Sequence, residues 1–198
     1  MREKFLEIYR ENITRPGAEE FLKWLESTDF FTAPASTRFH LSRPGGLVEH
    51  SVHVYERLRK LYNIEKYGDL STISVFPEAE TIAICGLLHD ICKANFYGVE
   101  MRNRKNEQGQ WEKYPFYVVN DQLPYGHGEK SVYIISGFMK LSREEAMAIR
   151  WHMGFSDNEF KAGGYSVGNA FEKFPLALLT HIADIQATYL DEVEEAQT

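Results

Sequence analysis

The segment Ile82-Ala83-Ile84-Cys85-Gly86-Leu87-Leu88-His89-Asp90-Ile91-Cys92-Lys93 constrains this chain more than any other stretch. Apolar side chains fall on nearly every face of the helix it forms, so that helix belongs in the interior. His89 and Asp90 go in with it. An ionised carboxylate left alone in a dry interior costs on the order of several kcal/mol, so Asp90 must be paired or neutralised. Two arrangements achieve this. A divalent cation takes imidazole and carboxylate as ligands. Alternatively Lys93, one turn on, pairs with Asp90, and His89 is a hydrogen-bonded core histidine.

The pair is not isolated. His50 lies one turn into a helix that follows Gly45-Gly46, and His127 stands in Pro124-Tyr125-Gly126-His127-Gly128, just ahead of another. His152 ends the run Ile149-Arg150-Trp151-His152, and Asp184 is a polar residue inside the apolar stretch Leu178–Ile185. Four helices and a loop can each project one such ligand into a shared bundle core.

The hydrophobic period is close to 3.6 along most of the chain, and the fold class expected is mainly α. Phe5, Ile8 and Tyr9 mark a first short helix, and Phe21, Leu22, Trp24 and Leu25 a second, with Pro16 suited to its first turn. Further helices are expected over about Leu47–Tyr62, Glu78–Lys93, Glu129–Met139, Arg143–Trp151 and Pro175–Val193, with Tyr67–Pro77 as a connection. Residues 95–125 break the pattern. Aromatic and β-branched residues lie on both sides of Asn106-Glu107-Gln108-Gly109, which reads as a β-hairpin inserted between helices. A Gly-rich loop holds Gly163, Gly164 and Gly168, and the acidic stretch Asp191–Thr198 is expected to fray. With no internal repeat or low-complexity linker, the expectation is one domain over 1–198: N-terminal helices in 1–38, a core in 39–190 and the insertion in 95–125.

Composition narrows the function classes. Lysines and arginines number 22 against 29 acids, a formal charge of −7. Long nucleic acid is therefore an unfavoured partner, because phosphate neutralisation needs a basic footprint, though one positive pocket remains allowed. Met1–Asn12 carries charges throughout and lacks the apolar run of a signal peptide, and no segment approaches the ~18 apolar residues of a membrane span. Cys85 and Cys92 read as reduced thiols, so the expected location is cytoplasmic.

The order of these residues is recognisable. A histidine in Gly45-Gly46-Leu47-Val48-Glu49-His50-Ser51, then Gly-Leu-Leu-His-Asp-Ile-Cys-Lys, then His127, His152 and Asp184, resembles the HD-domain superfamily of metal-dependent phosphohydrolases. It resembles in particular bacterial HD proteins related to the 3′–5′ exoribonuclease branch. The resemblance runs from about Phe39 to Tyr189 and implies an HD-domain helical bundle with the hairpin inserted.

It also implies roles. His50, His89, Asp90 and Asp184 correspond to a four-ligand mononuclear site, and His127 and His152 to the ligands added where two metals bind, with Asp90 as the bridge. The fourth histidine often occurs as His-His, whereas here it is Trp151-His152-Met153. The cofactor implied is one or two divalent ions, among Fe, Mn, Mg, Zn and Ni. Lys93 is implied as a catalytic and substrate-phosphate contact. Lys130, three residues after His127 on one helical face, and Arg43, in the loop, are candidate substrate-binding residues, although a loop arginine is more often solvated. His181, three residues before Asp184, either orients that ligand or is an ordinary helix-face histidine. His53 and His40 have bland readings too, His40 also fitting a pocket mouth.

The expected function is hydrolysis of a nucleotide or similar small phosphoester by metal-activated water. His127 and Lys130 are candidates for the leaving-group acid only if His127 is not a ligand. Two other readings stay open: a di-iron oxygenase on the same fold, and a non-catalytic nucleotide-binding module. The aromatic hairpin fits a lid, a base-stacking wall or a homodimer interface.

Overall fold

The structure is a computed structural model that describes residues 1–68 and 78–193. The expected connection up to Pro77 and the chain end from residue 194 fall largely outside the described residues. Helix α1 spans Arg2–Asn12 and α2 Ala18–Glu26. Pro16 precedes α2 without entering it: Gly17, at φ +91°, caps the helix instead, and a Cβ there would strike the Phe138 carbonyl. An irregular stretch leads to α3, Gly46–Tyr67, which is longer than its apolar pattern foretold because Gly68, at φ +68°, is what closes it.

Helix α4 covers Ala79–Leu88 and is buried from Ile82 onward. It stops short of the expected Lys93. The chain turns at His89-Asp90 and tightens into a 3₁₀ turn, Ile91–Lys93, followed by Asn95 at φ +55°. Residues three apart eclipse in such a turn, which sets Lys93 over Asp90. The hairpin follows, β1 Tyr97–Lys105 and β2 Trp111–Val119, antiparallel with Tyr97 opposite Val119 and Lys105 opposite Trp111. Its turn is held by Asn106, whose side-chain oxygen accepts from the N–H groups of Gln108 and Gln110, with Gly109 at φ +76°. Two strands alone are marginal in water. Here Arg102 lies 3.7 Å from the Phe116 ring centre, Arg104 4.9 Å from that of Tyr114, and Arg104 pairs with Glu112 at 2.6 Å.

Helices α5, His127–Ser136, and α6, Arg143–Arg150, come next, the latter opened by a reciprocal cap between Ser142 and Glu145. Two short helices, α7 Asn158–Lys161 and α8 Ser166–Lys173, lie in the stretch expected to be a Gly-rich loop. Gly168 and the polar residues around it hide α8, whose buried side is only Val167 and Ala170. Helix α9, Pro175–Gln186, starts on Pro175 and widens into a π turn over Ala187–Asp191.

Helix α3 packs on α4 and α9, and α9 on α6. One apolar cluster includes Phe5, Tyr9, Phe21 and Leu25 from the first two helices together with Leu47, Leu58, Ile84, Leu88 and Ile149. At the α3–α4 crossing a Cβ on Gly86 would fall 2.5 Å from the Tyr55 Cα, so only glycine permits this approach. The chain is mainly α, with a two-stranded hairpin as its sheet among the described residues. No described helix is long and apolar enough to cross a membrane.

Candidate metal centre

Four buried side chains, His50, His89, Asp90 and His152, come from α3, the end of α4, the turn after it and the turn after α6. Asp184 joins them from α9, and His127 from the first residue of α5. Asp90 is the hub. Its Oδ1 lies 2.8 Å from His127 Nε2 and 3.4 Å from His152 Nε2. Its Oδ2 lies 2.6 Å from Lys93 Nζ and 3.7 Å from the Nε2 atoms of both His50 and His89. The ion pair and the histidine cluster, alternatives in the sequence, are thus present together.

Backbone carbonyls fix two tautomers. His89 Nδ1 donates to Gly86 O at 2.9 Å, and His152 Nδ1 to Ile149 O at 2.7 Å. Each ring then presents a bare Nε2 lone pair to the interior. His152 Nε2 is buried with no hydrogen-bond partner. His50 Nε2 stands 3.2 Å from Asp184 Oδ1 and 3.3 Å from His89 Nε2.

So many inward-facing acceptors require positive charge. In the protein alone, Lys93 and protons on His50 and His127 supply it; against the lowering effect of burial, Cys92 and Asp90 raise the His127 pKa to about 10. Burial would lower the His50 pKa, but hydrogen bonds to Asp184 and Glu192 raise it to about 10. His89 lacks such partners, and burial pushes it down to about 3. Burial would raise the Asp90 carboxyl, yet Lys93, His89 and His127 hold it well below the usual carboxylate range.

Donor atoms of His50, His89 and Asp184 lie within 4.8 Å of one another, and so do those of His89, Asp90 and His152. Imidazole nitrogens and carboxylate oxygens suit divalent Fe, Mn, Ni or Zn. Asp90, Cys92 and His127 form a further such group, so the residues present fit a divalent cation at this cluster.

His50, Asp90, His127 and Asp184 form the floor of a cavity of about 330 Å³ whose lining also includes Lys93, Tyr97, Val119, His181 and Tyr189. His40 also lines it. Arg43 and Lys130 do not line it. Arg43 pairs with Glu49 at 2.7 Å on the exposed side of α3. The Lys130 ammonium turns away to Asp121 and to the Phe96 ring, 4.8 Å from its centre, because its long stem reaches past the face it shares with His127. His181 does not hold Asp184. Its Nδ1 donates to the His152 carbonyl at 2.7 Å, supporting the turn that carries that histidine, where Gly154 leaves room for the ring.

One site residue escapes sequence reasoning. Glu192, in the stretch expected to fray, is buried and accepts from His50 Nδ1 at 3.0 Å and from His53 Nδ1 at 3.0 Å. An isolated acid in an acidic run carries no local signal. The hint lay in two histidines one turn apart on α3, both needing an acceptor.

A family model described as HD domain matches residues 47–192. The chain belongs to the HD-domain family. Comparison with curated proteins and with solved structures returns no match. The HD-domain match takes in His50, His89, Asp90, His127, His152 and Asp184, ends on Glu192, and leaves α1, α2 and His40 outside it. The HD domain is that of a superfamily of metal-dependent hydrolases, and the His/Asp cluster is compatible with metal binding.

Proposed function

We propose that the protein is a metal-dependent phosphohydrolase acting on a small phosphorylated substrate, with a nucleotide as the leading class. The observation that carries this reading is one juxtaposition: the Lys93 ammonium lies 2.6 Å from Asp90 Oδ2, at the floor of a cavity whose other floor atoms are inward-facing imidazole nitrogens and carboxylate oxygens. His50, His89, Asp90, His127, His152 and Asp184 would hold one or two divalent ions, whose chemistry would be to activate a water near neutral pH and to offset charge on phosphate oxygens.

The chain's own groups do the rest. Lys93 meets a phosphoryl oxygen as charge builds on it, and its pairing with Asp90 keeps the ammonium aimed inward. Asp90 faces His127 and His152 with one oxygen and His50 and His89 with the other, which supports a ligand shared between two ions if two were bound. A cavity of about 330 Å³ is at the small end for ligand sites, which supports a small molecule over a polymer. Tyr97 and Val119, paired at the root of the hairpin, line the cavity, while the rest of the arm extends outward. The hairpin therefore contributes a wall to the site through its root.

The test is metal analysis of the purified protein, followed by phosphomonoester and phosphodiester panels in the metal found. Metal-dependent phosphate release supports the reading. Bound iron with mixed-valence spectra and no phosphate release would point to an oxygenase on the same fold. Nucleotide binding without turnover in any metal would leave a non-catalytic module.

A further inference from the structure

Glu192 stands where no ordinary helix end would put it. Helix α9 widens at Ala187–Asp191, and the Glu192 N–H bonds to the Ala187 carbonyl at 3.1 Å, five residues back. Single π turns of this kind recur at functional sites. The extra residue leaves Asp191 to pair with Arg57 and brings Glu192 round to the interior edge of α3. There its side chain is completely buried, with oxygens 3.0 and 3.1 Å from His50 Nδ1 and 3.0 Å from His53 Nδ1. His40 Nε2, a buried atom without a hydrogen-bond partner, is 3.9 Å from the second oxygen.

The four histidines assigned to the centre are backed unequally. His89 and His152 rest on backbone carbonyls, and the His127 Nδ1 has the Cys92 sulfur at 3.4 Å. His50 alone among them is backed by a carboxylate. A carboxylate behind an imidazole fixes the ring's tautomer and orientation and makes its outer nitrogen a stronger donor to a cation.

We propose that Glu192 is the positioning residue of the metal centre, acting through His50: it accepts the hydrogen bond from Nδ1–H and so keeps the proton there and a basic Nε2 turned toward Asp184 and His89. This rests on the metal-centre reading above. The group of ligands containing His50 is then the tighter of the two, and the group containing His127 the weaker.

The experiment is titration of the metal-free protein with Co²⁺, followed by the ion's visible absorption, in the wild type, Glu192→Ala, Glu192→Gln and Asp191→Asn. Glu192→Ala is expected to weaken the first binding event about 10–100-fold and to alter the Co²⁺ spectrum. Glu192→Gln, which still accepts from Nδ1 but has no charge, is expected to fall between it and the wild type. Asp191→Asn loosens the same turn from Arg57 without touching His50 and is expected to bind like the wild type. Wild-type affinity in Glu192→Ala would overturn the role. So would a loss in Asp191→Asn as large as in Glu192→Ala, because Glu192 would then only pin the chain end. Circular dichroism of each metal-free variant identifies any that fail to fold, and Glu192→Gln then decides, with a wild-type affinity and spectrum overturning the role. A wild type that takes up no Co²⁺ would overturn the metal-centre reading itself.

Discussion

The Nε2 atoms of His50 and His89 stand 3.3 Å apart, and each ring has its Nδ1 engaged elsewhere, on the Glu192 carboxylate and the Gly86 carbonyl. Two lone pairs at that separation repel unless a proton or a metal ion lies between them. A cation bound there stabilises the folded state by mass action. Adding a chelator to the metal-loaded protein is expected to lower its Tm, and restoring the metal to reverse the change. A Tm indifferent to chelator would contradict the cluster's assignment.

Asp90 touches both ligand groups, so its loss should affect both. Asp90→Ala is expected to abolish metal uptake and phosphate release while the far-UV helical signal largely survives. Elemental analysis and circular dichroism on one sample check this, and retained metal would count against the hub role.

His152 Nε2 lies 3.4 Å from Asp90 Oδ1, and under the two-metal reading it is a ligand of the second ion. In His152→Ala, metal stoichiometry is expected to fall from about two to about one per chain, because that ion would lose an imidazole ligand. The same elemental analysis reads the result, and an unchanged value would leave a single-metal centre.

Lys93 is the only lysine or arginine among the described residues lining the cavity. Lys93→Met is expected to keep the metal but lose about 10²–10³-fold in kcat, the scale of removing one charge-stabilising donor. Metal content beside turnover separates this from a binding defect.

Away from the centre, Arg15 bonds both oxygens of Glu145, at 2.7 and 2.8 Å, and Glu145 is 1% exposed. Arg15→Ala would leave that carboxylate buried without its ion partner, at a cost of about 3 kcal/mol. Burial alone would raise the Glu145 pKa, yet Arg15, the Ser142 N–H and Thr81 hold it below the ordinary 4.5. A depressed folded-state pKa adds stability above the ordinary value, and that stability is lost as pH falls through the folded-state value. Thermal melts of the wild type should therefore drop below about pH 5 more steeply than those of Arg15→Ala.

Much of the centre was legible in the sequence because burial and polarity conflict openly there. His89-Asp90 at the end of the apolar run of α4 and Asp184 in α9 interrupt apolar stretches, and each therefore had to find a buried partner. The hairpin was legible from its aromatic and β-branched content around Asn106–Gly109. What sequence spacing could not give was direction. Lys130 shares a helical face with His127, yet its stem is long enough to leave the cavity for Asp121. His181 is three residues from Asp184, yet its ring reaches across to His152. Glu192 was illegible for a different reason: its meaning lies in a histidine 142 residues away.

The hairpin's architecture has a consequence for how this protein can diversify. Its strands pair with each other and meet the body chiefly at the root, where Tyr97 and Val119 face the cavity. Farther out, Val99, Met101 and Trp111 stand at least 60% exposed and share no core with the helices. Changes in the arm's length or tip chemistry thus fall away from the His/Asp cluster, while a change at either root residue alters the wall of the cavity. The arm is a module on which selection can act separately from the buried cluster.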